Sequence, residues 1–250
     1  MTTLFTFDHE TGDWTGYTSG GSGNLTIANA AALHGNYGVN VNIVDATGLQ
    51  AYKSITKSAR IRYRFYLDTN SLTMGNNDRF GFADLIQGGG SYLQIVRTDI
   101  SYTTAAGYTF LIFGKNDVSG NSLDDHATLS DAPHYIEIYA ISSTGADAND
   151  GYYEWWLDGV SQGSASNVDN YNLMQDQNWR LYPVRLSGID AGTSGIFYVD
   201  DVQANDDGSE IGAYPSVLAG IKTINGVAIV GVKTINSVAI TSIKSVQGSI

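Results

Sequence analysis

The densest group of chemically capable side chains is YYEWWLD at residues 152–158. In an extended strand, side chains alternate. Tyr152, Glu154, Trp156 and Asp158 therefore share one face, and Tyr153, Trp155 and Leu157 share the other. The second set reads as core. The first is a mixed aromatic and acidic surface, the kind on which a sugar ring stacks while a few polar groups orient it. With Trp179 and Tyr182 it gives a candidate ligand-binding set of Tyr152, Glu154, Trp156, Trp179 and Tyr182. The competing reading places Trp156 beneath a second sheet or a loop. Acid–base catalysis finds less support. The only glutamates are Glu10, Glu137, Glu154 and Glu210, far apart in sequence. Glu154 and Asp158 share a face, but four residues of strand separate them by about 13 Å, too far for either common pairing of hydrolytic carboxylates. Of His9, His34, His126 and His134, the last follows Pro133 and reads as a turn or core residue. Arg60, Arg62 and Arg64 form a ladder on one strand face. They can pair with acids on a neighbouring strand, or contact an acidic glycan or a partner chain.

The elements that position these groups are strands. Residues 59–67 (ARIRYRFYL) alternate strictly, with Ile61, Tyr63 and Phe65 opposite the three arginines. Residues 79–86, 91–97, 107–114, 134–142, 152–158, 179–186 and 196–204 follow with strand-forming composition. Gly, Asn and Asp clusters at 75–78, 88–90, 145–151 and 190–195 separate them. No segment supports a helix of more than a turn or two. Many strands with long connections favour an all-β, two-sheet antiparallel sandwich over a tight barrel.

Composition narrows the partners. The chain of 250 residues has a net charge of −12, and residues 216–250 contribute three lysines and no acid. The first 215 residues thus carry ten basic and 25 acidic groups, which argues against nucleic acid as a partner. The acids are mostly Asp, which points either to plain solubility or to cation binding. With no Cys, disulfides and thiolate metal sites are excluded. MTTLFTFDHETG has neither a basic nor an apolar leader, so no signal peptide is expected, and no apolar run is long enough for a membrane span.

The end of the chain repeats itself. GIKTINGVAIV (220–230), GVKTINSVAIT (231–241) and the shorter SIKSVQGSI (242–250) are copies with an eleven-residue period. Asn225-Gly226 is a strong type I′ hairpin signal, and Asn236-Ser237 a weaker one. So short a unit cannot bury its own apolar face, and must stack on its neighbours or on another chain. The expected division is a jelly-roll domain at 1–206, a linker at 207–217, and a short β-hairpin repeat tail at 218–250 that anchors or oligomerises the chain.

Two end segments resemble the concanavalin A-like lectin/glucanase jelly rolls and related carbohydrate-binding modules. FDHETGDW (7–14) and HGNYGVNV (34–41) look like that superfamily's opening strand and its Gly-x-Tyr-Gly turn. YYEWWLDGV (152–160) and FYVDDV (197–202) look like its aromatic–Asp–Gly hairpin and closing strand. The match spans about residues 4–205. It implies that the first and last strands lie side by side and hold a structural Ca²⁺. Asp8 or Glu10, the carbonyl of Asn36 and Asp200 are the ligands so implied. Departures matter as well. The Glu-x-Asp-x-x-Glu strand of the glucanase branch is missing. So is a Gln-x-His strand of the kind used by polysaccharide lyases of this fold. On these grounds the chain is expected not to be an enzyme.

The repeats resemble those at the C-termini of tailed-phage structural proteins, where they accompany lectin-like domains. That resemblance implies a non-enzymatic virion surface protein, such as a decoration, fibre or tail-associated adhesin. It would display a glycan-binding jelly roll and contact other virion proteins or sister subunits, as a homo-oligomer, through 218–250. The alternatives are a free carbohydrate-binding module or lectin, and a polysaccharide-cleaving enzyme.

Overall fold

The computed structural model describes residues 2–21, 23–44, 49–88, 93–118, 120–185 and 192–214, and four two-residue strands beyond them. The first unit, Met1–Gly212, is a sandwich of two antiparallel sheets. One sheet holds β1 (Thr3–Phe7), β2 (Leu25–Ala28), β3 (Gly38–Ile43), β5 (Arg60–Asp68), β10 (His134–Ile141), β11 (Gly151–Leu157), β12 (Val160–Val168) and β14 (Gly195–Asn205). Its order is β12-β11-β10-β5-β14-β3-β2, with β1 also on β14. The other holds β4 (Ala51–Ile55), β6 (Arg79–Gln87), β7 (Gln94–Thr103), β8 (Gly107–Lys115), β9 (Asn121–Leu129) and β13 (Gln177–Arg185), in the order β4-β13-β6-β7-β8-β9. Among the described residues the one helical element is a single 3₁₀ turn, Asn29–Ala31.

Alternation explains the core. On β5, Ile61, Tyr63 and Phe65 point inward and are fully buried, as are Tyr153 and Trp155 on β11. The second sheet answers with Phe80, Phe82, Phe110 and Trp179. Rings meet across the two layers: Phe65 and Phe82 at 5.3 Å, Phe110 and Trp155 at 5.6 Å, and Phe80 and Phe197 at 5.7 Å. Offset and tilted aromatic pairs of this kind add specific geometry to simple area burial. The first and last strands are neighbours, with Thr6 opposite Gln203 and Phe7 opposite Val202.

Residues 207–212, expected as linker, are tied to the first unit. Glu137 on β10 accepts the amides of Ile211 and Gly212 at 2.9 and 2.8 Å. Arg64 donates to the Gly212 carbonyl at 2.9 Å, and Arg62 to that of Gly208 at 3.3 Å. This strap explains why the arginine ladder is not a bare face: Arg64 is buried, and Arg62 pairs with Glu137.

The second unit is Ala213–Ile250. Its described residues form two minimal hairpins, β15 (Thr223–Ile224) with β16 (Val227–Ala228), and β17 (Thr234–Ile235) with β18 (Val238–Ala239). They repeat at the period of the sequence. The rest of the expected anchoring tail, 218–250, lies outside the described residues.

Candidate functional site

The strongest candidate lies on the outward face of the six-stranded sheet. Trp179 and Leu181 on β13 are buried in the core, so Arg180 between them projects to the other side. Register then draws one unbroken row across six strands. Tyr52 on β4 stands opposite Arg180, Arg180 opposite Asp84 on β6, and Asp84 opposite Arg97 on β7. Arg97 faces Phe113 on β8, and Phe113 faces Asp124 on β9. A second row runs Gly81, Asp99, Leu111, His126.

The acids form the floor of this face, the guanidinium groups of Arg79 and Arg97 lie nearer solvent, and Arg180 is itself buried beside Asp84. Asp99 is 0 % exposed and Asp84 5 %, whereas the side chains of Arg79 and Arg97 are 37 % and 22 % exposed. Asp99 accepts from Arg97 through Nε at 2.8 Å and Nη2 at 2.6 Å, and from Nε of Arg79 at 2.6 Å. Asp84 accepts from Nη2 of Arg180 at 2.7 Å. The guanidinium groups also lie over aromatic rings: Arg180 over Tyr182 at 3.9 Å, Arg79 over Phe113 at 4.8 Å, and Arg97 over Phe113 at 5.6 Å. Burial pushes the Asp84 carboxyl above its ordinary value, against the pull of Arg180. Burial and then the nearby charge of Arg97 hold the Lys115 ammonium below its ordinary range.

Chemically, this face sets Arg79, Arg97, Arg180 and Lys115 beside Asp84, Asp99 and Asp124, a near balance of charge on an acidic body. Each guanidinium carries five donors in a fixed fork, and pairing with a floor carboxylate leaves others to bind a second carboxylate from outside. Tyr52, opposite Arg180 on β4, and Tyr182, two residues along β13, carry phenol groups able to hydrogen-bond a ligand hydroxyl or to exchange a proton.

The structure divides the set expected from sequence. Tyr182 belongs to this face. Trp179 is fully buried and contributes to the core, not to a platform. Tyr152, Glu154 and Trp156 lie on the outward face of the other sheet. There Glu154 accepts from Tyr152 Oη at 2.8 Å and Ser161 Oγ at 3.1 Å, and Arg62 covers the Trp156 ring at 4.2 Å. His134 is neither a turn nor a core residue: it opens β10, half-buried, with its ring bonded to Asp158 at 2.6 Å and Ser130 at 2.8 Å. Sequence reasoning missed Arg97, Asp99, Asp84 and Arg180. The available signal was a charge at an alternating position inside an otherwise apolar strand, as in QIVRTDI and RFGFADLI.

The implied calcium ligands each have other partners. Asp8 accepts the Glu10 amide at 3.2 Å. Glu10 accepts the amides of Asn36 and Tyr37 at 2.7 and 3.2 Å, and Nδ2 of Asn36 at 2.7 Å. The carbonyl of Asn36 accepts from Asn29 at 2.8 Å. Burial raises the Glu10 carboxyl, but its bonds to Asn36 and Tyr37 and the nearby His9 outweigh that and leave it below its ordinary value of 4.5. Across the interval between the two values the unfolded chain binds more protons than the folded one. Glu10 therefore stabilises the fold fully above pH 4.5, and that contribution is lost as pH falls through the lowered value. Glu10→Gln should flatten this part of the acid limb in a pH series of thermal melts. An unchanged limb would show that these bonds contribute nothing net.

No family model and no curated protein matches the chain. Among solved structures it is similar to an endo-β-1,4-glucuronan lyase from the fungus Trichoderma reesei, at 16 % identity and TM-score 0.54, covering 81 % of this chain and 95 % of that one. It is also similar to the alginate lyase vAL-1 from a Chlorella virus, at 11 % identity and TM-score 0.56, covering 82 % and 100 %. A PL-14 alginate lyase from Aplysia kurodai aligns at 7 % identity and TM-score 0.57, covering 82 % and 100 %. The shared feature is the fold, a jelly-roll sandwich of two antiparallel sheets. The expectation that the chain is not an enzyme is corrected here. It rested on two missing strand motifs, and the solved structures of this fold include polysaccharide lyases that are 7–16 % identical to the chain. Missing motifs at that distance do not exclude catalysis.

Proposed function

We propose that the chain acts on an acidic polysaccharide, bound along the outward face of the six-stranded sheet, as a lyase. The observation that carries this reading is the row Tyr52–Arg180–Asp84–Arg97–Phe113–Asp124, in which Arg97, with Arg79 beside it, reaches solvent and Arg180 lies buried against Asp84 beneath Tyr182. The names of the solved structures that share the fold, glucuronan and alginate lyases, support it.

Eliminative cleavage of a polyuronate needs three groups. A cation neutralises the uronate carboxylate and so acidifies the adjacent C–H. A base takes that proton, and an acid protonates the departing glycosidic oxygen as its bond to carbon breaks and a carbon–carbon double bond forms. Arg180 and Arg97 fit the first role. Tyr182 and Tyr52 fit the proton-transfer roles.

The test incubates the full chain with alginate, polyglucuronate and polygalacturonate, with a neutral β-glucan as control, and follows the ultraviolet absorbance of the unsaturated product. Absorbance should rise with at least one acidic polymer and not with the glucan. Arg180→Ala should lower that rate by about 100-fold or more. Activity or binding confined to the neutral polymer would sink the proposal. Binding of an acidic polymer without product would favour a second reading, a non-cleaving acidic-glycan binder, for which the firm pairing of Arg97 with Asp99 speaks. Display on a virion through 218–250 rests on the repeat pattern alone. Its test is the solution mass of the full chain beside a chain ending at Tyr214.

A further inference from the structure

The resemblance of the opening and closing segments implies a calcium ion where the first and last strands meet, but the donors gathered there are of the opposite kind. Asp200 is fully buried on β14, and its oxygens are occupied. Oδ1 accepts from Nδ1 of His9 at 3.0 Å and from the Asp201 amide at 2.8 Å. Oδ2 accepts from the amides of Leu33 and His34, each at 3.0 Å. A carboxylate has about four lone-pair sites, and all four face an N–H. Glu10 is likewise turned to three N–H donors, and the Asn36 carbonyl is taken by Asn29. Calcium needs six to eight oxygen ligands with lone pairs free for the ion. N–H dipoles aimed at those same oxygens do the ion's electrostatic work and occupy its place.

We infer that this chain closes the joint between its first and last strands with a histidine latch, Tyr17–His9–Asp200 supported by His34–Asp201, in place of a calcium ion. His9 is buried. Its Nε2 lies 3.0 Å from the Tyr17 hydroxyl and its Nδ1 faces Asp200. The Asp200 carboxylate can only accept, so the neutral ring carries its proton on Nδ1 and Nε2 accepts from the Tyr17 hydroxyl. The next residue, Asp201, has φ 47° at a register shift in β14, and its Oδ2 lies 2.6 Å from Nδ1 of His34. His9 has φ 59°. Left-handed backbone at non-glycine residues is costly and persists where the surroundings enforce it. Here it lets two successive carboxylates meet two histidines from the N-terminal segments. The donor atoms of His34, Asp200 and Asp201 lie within 4.8 Å of one another, yet they do not restore a calcium site. One is an imidazole nitrogen, and Asp200 has no acceptor site left.

The test is thermal unfolding of the full chain after exhaustive chelation and again after calcium is added back. The two midpoints should coincide. His9→Ala leaves Asp200 and Tyr17 short of a partner and should lower the midpoint by about 5 °C, with no recovery in calcium. His9→Asn, which tolerates a positive φ and keeps a side-chain N–H, should lose less. A midpoint that falls on chelation and returns with calcium overturns the latch. If His9→Ala does not fold, the chelation series on the unaltered chain still decides.

Discussion

Glu137→Ala is expected to lower the unfolding free energy by about 3–5 kcal/mol, the loss typical of breaking a buried ion pair from one side. Glu137 is only 2 % exposed. Its carboxylate serves three donors: the Arg62 guanidinium and the amides of Ile211 and Gly212. Alanine would leave a largely buried guanidinium without its counter-charge and two backbone amides without an acceptor, and each unsatisfied group carries a desolvation cost. The bonds from Arg62 to Gly208 and from Arg64 to Gly212 depend on the same strap and should weaken with it. Two measurements check this. The denaturant midpoint should fall, and limited proteolysis should open a new cleavage site within residues 206–214. Glu137→Gln keeps the shape and one acceptor oxygen, and should fall between the wild type and alanine. A wild-type midpoint in Glu137→Ala would mean that the strap lies on the sheet without holding it.

The parts of this architecture that could be read in the sequence are those encoded within one strand. Ile61, Tyr63 and Phe65 alternate with Arg60, Arg62 and Arg64, and the structure buries the first set. The same holds for Tyr153 and Trp155. Strands β9 (NSLDDHATL) and β12 (VSQGSASNV) escaped notice because they are edge strands. An edge strand buries little. Leu123 and Leu129 are buried in the core on β9, and Val168 on β12, so Ser, Asp and Thr fill the rest and the apolar period vanishes. The candidate site was hidden for a different reason. Its row takes one residue from each of six strands, so no local spacing announces it, and only register brings Arg180, Asp84 and Arg97 together. YYEWWLD stood out because it is contiguous, and the fold divides it between core and outward face by the alternation read from the sequence. Trp179 shows the limit of reasoning from residue type: an aromatic suited to a sugar platform is equally suited to the core, and the apolar period it shares with Leu181 assigns it there.

Asp99→Asn should weaken acidic-polysaccharide binding by about 10- to 100-fold, although it removes a negative charge from a face that binds anions. Plain Coulomb attraction predicts the reverse, since the variant is more cationic and a polyanion should approach it more readily. Positioning predicts the loss. Asp99 is fully buried and holds Arg97 by two hydrogen bonds and Arg79 by a third. Asparagine has the same outline, but it replaces one acceptor oxygen with an NH₂ that points donors at a guanidinium. At least one arginine must then turn away, and the fork geometry that matches a ligand carboxylate goes with it. A charged hydrogen bond contributes about 1.5–3 kcal/mol, which corresponds to the stated factor. Salt separates the two accounts further. Diffuse attraction fades as ionic strength rises, whereas the wild-type advantage over Asp99→Asn should persist, because it resides in orientation and not in net charge. Titration of one polyuronate into both proteins at low and high salt decides between them. Tighter binding by Asp99→Asn at low salt, lost at high salt, would mean that the face attracts polyanions without recognising them.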